Sequence, residues 1–470
     1  VTSPHPLPAS GPAPSSSPMS SYQRRILTVA VLSSFIVFLD GTVINVALPA
    51  ISRELGGGLA GQQWVVDAYL ISLTAVILLA GSLSDAFGRR RVIFWGLIGF
   101  GAASVLCAVS VTDAMLIVSR GIQGIAGALL VPSSLAIIVA NFDGPARAKA
   151  IGRWTAWTST AFLAGPLLGG VLVDLVSWRL VFAINVIPIA VTLLALRRLD
   201  LEPPRAVKPV IDYRGAVLGI LGIGLPVFAL IEHGRLGWSN PIVWGALALG
   251  LASFGLFLWN EAVASHPMLP LSLFRVRNFW VGNVATAFIY AALSLGGFAL
   301  TLFLQQVAGY SATQAGLASL PSTVISISLA SLFGTLAGRY GSRWFMAAGP
   351  IVGAVGYLLL SQVTAEANYV SQVLPGTVVF SLGLVMTVAP LTAAVLGSID
   401  PERAGIASAT NNAVSRVAGL VATAAAALII GDALTVEGFS RAALATSALL
   451  VVGGIVSLVG IQNAKRSQRT

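Results

Sequence analysis

The stretch GSLSDAFGRR, residues 81–90, returns 253 residues later as GTLAGRYGSR, residues 334–343. Gly81, Leu83, Gly88 and Arg90 recur as Gly334, Leu336, Gly341 and Arg343. Each copy is a short glycine-containing basic turn between two long apolar runs. Two further echoes run in the same direction. DGPARA at 143–148 resembles DPERA at 400–404, with Arg147 and Arg403 offset by 256. Pro132 and Pro390 fall in matching apolar runs at offset 258. Self-similarity at a near-constant offset marks repeated units. Two parallel halves are therefore expected, 22–199 and 279–470, joined by a linker at 200–278.

Composition fixes the class of chain. Of its 470 residues 56% are hydrophobic and 9% charged, with mean hydropathy +0.88. Soluble domains carry about 25% charged residues. A helical span needs about 20 apolar residues. Fourteen runs qualify: 26–51, 62–83, 92–110, 114–139, 151–175, 178–199, 213–232, 240–260, 279–304, 314–336, 344–362, 369–396, 404–430 and 440–461. The fold class is an all-α polytopic membrane protein, with six helices in each half and two extra transmembrane helices in the linker. Parallel halves with a binding site between them match the architecture of major facilitator transporters.

The net charge of +10 could suggest a nucleic-acid partner, but its distribution argues against one. All but six of the 27 basic residues lie in the tails and in the loops on one side of the spans; the six are Arg53, Arg120, Arg179, Arg235, Arg416 and Arg441. The positive-inside rule then places both termini in the cytoplasm and the chain in the cytoplasmic membrane. Residues 1–21, rich in Pro and Ser, read as a disordered cytoplasmic tail and lack the basic-then-apolar order of a signal peptide. The lone Cys107 excludes an intrachain disulfide, and His5, His233 and His266 show no metal-ligand spacing. No metal and no cofactor are expected, beyond a proton as coupling ion. No GxxxxGK[ST] loop supports ATP-driven pumping, and no His, Ser or metal constellation supports an enzyme.

Charge inside a span costs about 2.5–3.5 kcal/mol per residue on insertion scales, so it usually marks a pathway. Asp40, in FLDGTVINVALPAI, lies about 15 Å from the outer end of its run, at about 1.5 Å per residue. Asp67 lies about 8 Å deep and Arg120 about 9 Å deep on the same count. Two acids and a base at such depths can load and release a proton, with Asp40 as principal carrier. The competing readings are a static ion pair that holds helices together and, for Asp67, a side chain that simply reaches the outer interface. In the loop, Gly81, Asp85, Gly88, Arg89 and Arg90 form a candidate gate; a purely topogenic basic loop is the alternative. AGPLLGG at 164–170 gives a kinked small-residue seam at Gly165, Pro166, Gly169 and Gly170, or ordinary helix packing. Phe35, Phe38, Tyr69, Trp154 and Trp157 are candidates to line a substrate cavity. Arg416 could join them or be structural.

These stretches, in this order, resemble the fourteen-helix drug:proton antiporters of the EmrB/QacA type within the major facilitator superfamily. The carriers of the resemblance are LDGTVINVALPAI (39–51), QWVVDAYL (63–70), GSLSDAFGRRR (81–91), SRGIQGIAGALLVPS (119–133), AGPLLGG (164–170), WRLVFAINVIP (178–188) and HPMLPLSLFRVRNF (266–279). In that family the GPxxGG seam accompanies export, so the resemblance implies the direction of transport. It implies proton-coupled efflux of amphipathic or cationic small molecules, by a protein expected to be a monomer in the lipid bilayer. The alternatives are a dedicated exporter of one metabolite or antibiotic and, from another class, a non-transporting membrane sensor.

Overall fold

The computed structural model describes residues 19–199, 212–265, 267–400, 403–431 and 433–463. The expected tail and the first part of the linker therefore lie outside the described residues, apart from Met19, Ser20 and Ser21. All regular structure among the described residues is helical. In chain order we name α1 (Ser21–Leu55), α2 (Gly58–Phe87), α3 (Arg89–Ala108), α4 (Asp113–Asn141), α5 (Gly144–Leu175) and α6 (Leu180–Arg197, with a turn at 184–185). The linker supplies α7 (Tyr213–Leu236) and α8 (Pro241–Val263). There follow α9 (Arg277–Gln306), α10 (Ala312–Tyr340, interrupted at Ser319), α11 (Ser342–Leu360), α12 (Tyr369–Leu396), α13 (Ala404–Ala424, continued by Ala426–Ile430) and α14 (Val436–Gly460).

Among the described residues, twelve stretches are long and apolar enough to cross a membrane, and they fall in every helix but α2 and α13. Asn411, Asn412 and Arg416 interrupt the apolarity of α13, whereas α2 carries the long apolar run 64–83 despite Asp67. Both are nevertheless helices in the order the fourteen-run reading requires. Several helices outrun their apolar windows. Helix α1 begins at a capping box, in which the Ser20 hydroxyl accepts the Gln23 N–H and the Gln23 side chain accepts the Ser20 N–H. It ends at Gly56 with φ 85°. Such polar ends are helical because they are capped, which an apolarity window does not register.

Consecutive helices alternate direction, so their ends define two faces. We call the one where α1 begins the terminal face and the other the distal face. In the distal half one hydrophobic core spans both halves of the chain. It joins Val43, Ile44 and Leu48 of α1 to Leu302 and Phe303 of α9 and Ala442 and Ala443 of α14. In the terminal half there are two separate cores. One holds Ile26, Ile36, Ile93 and Ile137; the other holds Phe279, Val281, Met346 and Val395. The two halves are thus sealed together distally and parted terminally. Helix α7 lies over the α2–α13 seam, with Val227 and Ile231 packed among Trp64, Ile71, Leu420 and Ala424.

The repeated turn is repeated in backbone geometry. Gly88 has φ 88°, ψ 132° and Gly341 has φ 93°, ψ 142°, each ending one helix and starting the next. Side chains rarely tolerate this region. The following arginines reach equivalent places: Arg90 Nη2 donates to the Arg197 carbonyl at the end of α6, and Arg343 Nε to the Leu458 carbonyl near the end of α14. Gly88→Ala is expected to cost about 1–3 kcal/mol of backbone strain. Gly152→Ala, in a helix with open space around it, should be neutral. Thermal unfolding in detergent checks the contrast, and equal midpoints would refute it.

Candidate functional site

Asp40 sits at the centre of α1, fully buried, where α1 packs against α4. Arg120 Nη1 donates to its Oδ2 at 2.5 Å. Gln123 Nε2 and Asn185 Nδ2 donate to its Oδ1 at 2.9 and 3.0 Å. Both amides also reach Ser104 Oγ, at 2.9 and 3.4 Å. An ionised Asp only accepts hydrogen bonds, and three donors from α4 and α6 surround this one. The guanidinium is held in turn. Its Nε donates to the Val65 carbonyl at 3.0 Å, Nη1 also reaches Gln123 Oε1 at 2.6 Å, and Cζ lies 4.2 Å from the centroid of the Tyr69 ring. Among the described residues the hydrogen bonds of this network therefore draw on α1, α2, α3, α4 and α6 alone.

Sequence reading found Asp40 and Arg120 but not Gln123, Ser104 and Asn185. Gln123 follows Arg120 by three residues, hence on the same helix face. Asn185 lies in WRLVFAINVIP and is fully buried. Both carried a signal, as amides inside apolar runs. Ser104 carried none, since serine is common in membrane helices.

The glycine seam joins α5 to two partners. A Cβ on Gly165 would collide with the Thr42 side chain, and one on Gly169 would lie 2.7–2.8 Å from Val43 and Val46. The Thr42 hydroxyl donates to the Ala161 carbonyl at 3.1 Å. Gly170 faces the second half instead, where a Cβ would lie 2.5 Å from the Ala312 carbonyl oxygen and 2.6 Å from Thr313 Cα. Gly316 of α10 approaches the Pro166 carbonyl just as tightly. One turn beyond Gly170, Asp174 accepts the N–H of Ala312 at 3.1 Å and of Thr313 at 2.7 Å. A carboxylate of one half thus caps a helix of the other, which favours negative charge at its N-terminus. These contacts close the distal face.

The major facilitator superfamily model matches residues 30–423 of the chain. The chain belongs to the major facilitator superfamily. A methylenomycin A resistance protein of Bacillus subtilis (strain 168) is 34% identical over 444 residues, 94% of each chain. The multidrug resistance protein Stp of Mycobacterium tuberculosis is 35% identical over 405 residues, 83% of this chain and 72% of that one. The multidrug export protein EmrB of Escherichia coli (strain K12) is 32% identical over 415 residues, 86% of this chain and 80% of that one. Among solved structures, a POT peptide transporter in complex with sulfate superposes with TM-score 0.68 at 16% identity, over 93% of both chains. A bacterial homologue of the lysosomal transporter Spinster, inward-facing and unoccupied, superposes with TM-score 0.69 at 17% identity, over 94% of this chain and 98% of that one. These likenesses fix the fold.

In this superfamily member the three charges singled out by sequence separate into a pair and a single. Asp67 does not touch the Asp40–Arg120 network. It is 0% exposed, deeper than the sequence count placed it because α2 begins at Gly58, and neither carboxylate oxygen has a hydrogen-bond partner. It lies one turn from Gln63, whose Nε2 donates to the Thr423 and Ala424 carbonyls of the second half at 2.6 and 3.1 Å. Arg416 is half-buried within electrostatic range of Tyr69 and Tyr290, and its Nε has no hydrogen-bond partner. Phe38 packs on Phe162 with centroids 5.8 Å apart, and Trp154 Nε1 donates to Ser34 Oγ at 3.2 Å. Tyr69 is buried under Arg120, Phe35 is half-buried, and Trp157 is 61% exposed. In the gating loop the surroundings of Gly81 and the side chain of Asp85 lie outside what is described; Gly88, Arg89 and Arg90 lie at the terminal face.

Proposed function

We propose that this chain is a proton-coupled exporter of amphipathic, drug-like molecules, working as a monomer by alternating access across the cytoplasmic membrane, with both termini cytoplasmic. The relatives named for multidrug export or antibiotic resistance support the activity. The basic-loop asymmetry supports the orientation, which makes the terminal face the inner one. The structure then corresponds to a state closed outside and parted inside. The observation that carries coupling is the buried Asp40 carboxylate, gripped by Arg120, Gln123 and Asn185.

In the proposed cycle, substrate enters from the inner side between Phe35, Phe38, Trp154, Trp157 and Arg416 while Asp40 is ionised. Rocking of the halves parts the Gly170–Ala312 seam and opens the outer side. A proton then neutralises Asp40 and weakens its hold on Arg120, and substrate leaves outward. Return to the inner-open state restores the three donors around Asp40 and expels the proton inward. Asp67 assists, as a second buried acid on the face of α2 that meets the second half. The Gly88 turn, with Asp85, Arg89 and Arg90, gates the inner side.

Relatives named for single antibiotics, such as the cephamycin export protein CmcT of Amycolatopsis lactamdurans, favour a second reading as a dedicated exporter. Expression in an efflux-deficient host separates the two. Resistance to several chemically unrelated amphipathic compounds, abolished by an uncoupler, is the expected result. Resistance to one compound alone would assign the dedicated role, and resistance indifferent to the uncoupler would refute proton coupling.

A further inference from the structure

A cavity of about 600 Å³ lies between the linker helices and the second half of the chain, with Thr74 and Ala75 of α2 at its edge. Its walls include Ile223 of α7, Phe254 and Phe257 of α8, Ala291 of α9, and Val414 and Ala418 of α13. Among the described residues the polar side chains in its lining are Thr74 and Thr410. On α13 the lining residues Thr410, Val414, Val421 and Ala425 recur at helical spacing on a face centred opposite Arg416, with Ala413 at its edge. The cavity therefore opens on the opposite side of α13 from the proposed transport path. A space of this size suits a drug-sized or chain-like apolar occupant.

Its terminal end is polar and incomplete. Glu261 of α8 is 3% exposed. Its Oε2 accepts the Leu269 N–H at 2.7 Å, while its Oε1 has no partner. Asp212 accepts Gly215 N–H at 2.8 Å and Asn260 Nδ2 at 2.6 Å. The two carboxylates converge on Gly215, a lining residue. A Cβ there would lie 2.6 Å from Asp212 Oδ2 and 2.8 Å from Glu261 Oε1. Among the described residues no basic side chain pairs with Glu261, and a buried carboxylate oxygen left without a donor is costly. Arg214, beside Asp212, is exposed. Tyr213, Trp259 and Trp280 are exposed at the same level, as aromatic residues are where headgroups begin. The carboxylates thus lie at headgroup depth, with hydrocarbon-like walls running inward from them.

We propose that this cleft holds one aminophospholipid: an acyl chain lies between α7, α8, α9 and α13, the ammonium bonds Glu261 and Asp212, and the phosphate meets Arg214. An ammonium supplies the missing donor at Glu261 Oε1. A zwitterionic headgroup matches the acid pair and the arginine together, which a simple cation does not. Basic groups at helix ends on the inner side suit lipid phosphates. The occupant is a resident of the fold rather than cargo, because it lies away from Arg416.

Native mass spectrometry of the full-length protein tests this with phosphatidylethanolamine, phosphatidylcholine and phosphatidylglycerol added separately. One phosphatidylethanolamine should be retained about tenfold more tightly than either other lipid, the scale of one hydrogen bond to a charged group. Glu261→Gln should abolish that preference. Gly219→Leu should exclude all three lipids by filling the cleft, since a Cβ there meets Phe257 only at 3.7 Å. Equal retention of the three lipids by the unaltered protein, or an unchanged preference in Glu261→Gln, would overturn the proposal. So would co-purification of an exported cationic amphiphile in place of the lipid. Should Glu261→Gln fail to fold, Arg214→Gln at its exposed position should weaken phosphatidylethanolamine and phosphatidylglycerol alike, and unchanged binding of both counts against the site.

Discussion

Asp40→Asn is expected to reduce uncoupler-sensitive export to background while leaving substrate binding measurable. Asparagine keeps the shape of the side chain and can still accept from Gln123 and Asn185, which donate at 2.9 and 3.0 Å. It cannot take and release a proton. It also leaves Arg120 buried without its counter-charge, and breaking a buried pair from one side costs about 3–5 kcal/mol. A loss of transport alone would therefore not separate a proton carrier from a static strut. The double variant Asp40→Asn/Arg120→Gln does. Removing both charges should restore much of the thermal stability lost in Asp40→Asn. If Asp40 carries the proton, the restored protein still fails to release protons on substrate addition in proteoliposomes. If the pair is only structural, transport returns with stability, and the coupling assignment is wrong.

Much of this arrangement was legible in the sequence, for identifiable physical reasons. A basic glycine turn that recurs at offset 253 must recur in the backbone, because Gly88 and Gly341 both occupy a φ near +90°. Charge in an apolar run exposes itself by its cost, which is why Asp40 and Arg120 were found and why they proved to be paired. Asp67 was found for the same reason, but its separation from that pair was not legible. Depth along a helix can be counted from sequence, whereas the facing direction depends on which neighbour packs there. Gln63, one turn away, bonds α13 rather than the first half's own network. The Asp174 cap was missed because an acid near a helix end carries no cost that marks it. Its partners are backbone amides at 312–313, which have no sequence signature at all. The unpartnered Glu261 was hidden in the same way, at the end of a run whose apolarity gave it no prominence.

Gly170→Val is expected to shift the protein away from the distally closed state. The substitution places side-chain atoms where the Ala312 carbonyl and Thr313 Cα already lie, 2.5 and 2.6 Å from an ideal Cβ. Those neighbours are backbone of a capped helix and cannot rotate aside as a side chain could. Overpacking of this kind costs about 1–3 kcal/mol. The cost falls only on the state in which α5 and α10 touch, so it acts as a bias of about 5–150-fold on the equilibrium between states. Asp174→Asn should bias it the same way but less, because an asparagine still accepts from the helix amides. Spin labels at Val176→Cys and Gln362→Cys, both exposed near the distal face, report the change in a Cys107→Ser background. Gly170→Val should move the distance distribution toward the longer, parted population, with Asp174→Asn between it and the unaltered protein. Export should fail with it, because a protein held open outside cannot collect substrate from the inner side. An unchanged distribution in Gly170→Val would mean that the α5–α10 contact does not hold the distal gate, and the seal would then have to reside in the shared core around Ile44 and Phe303.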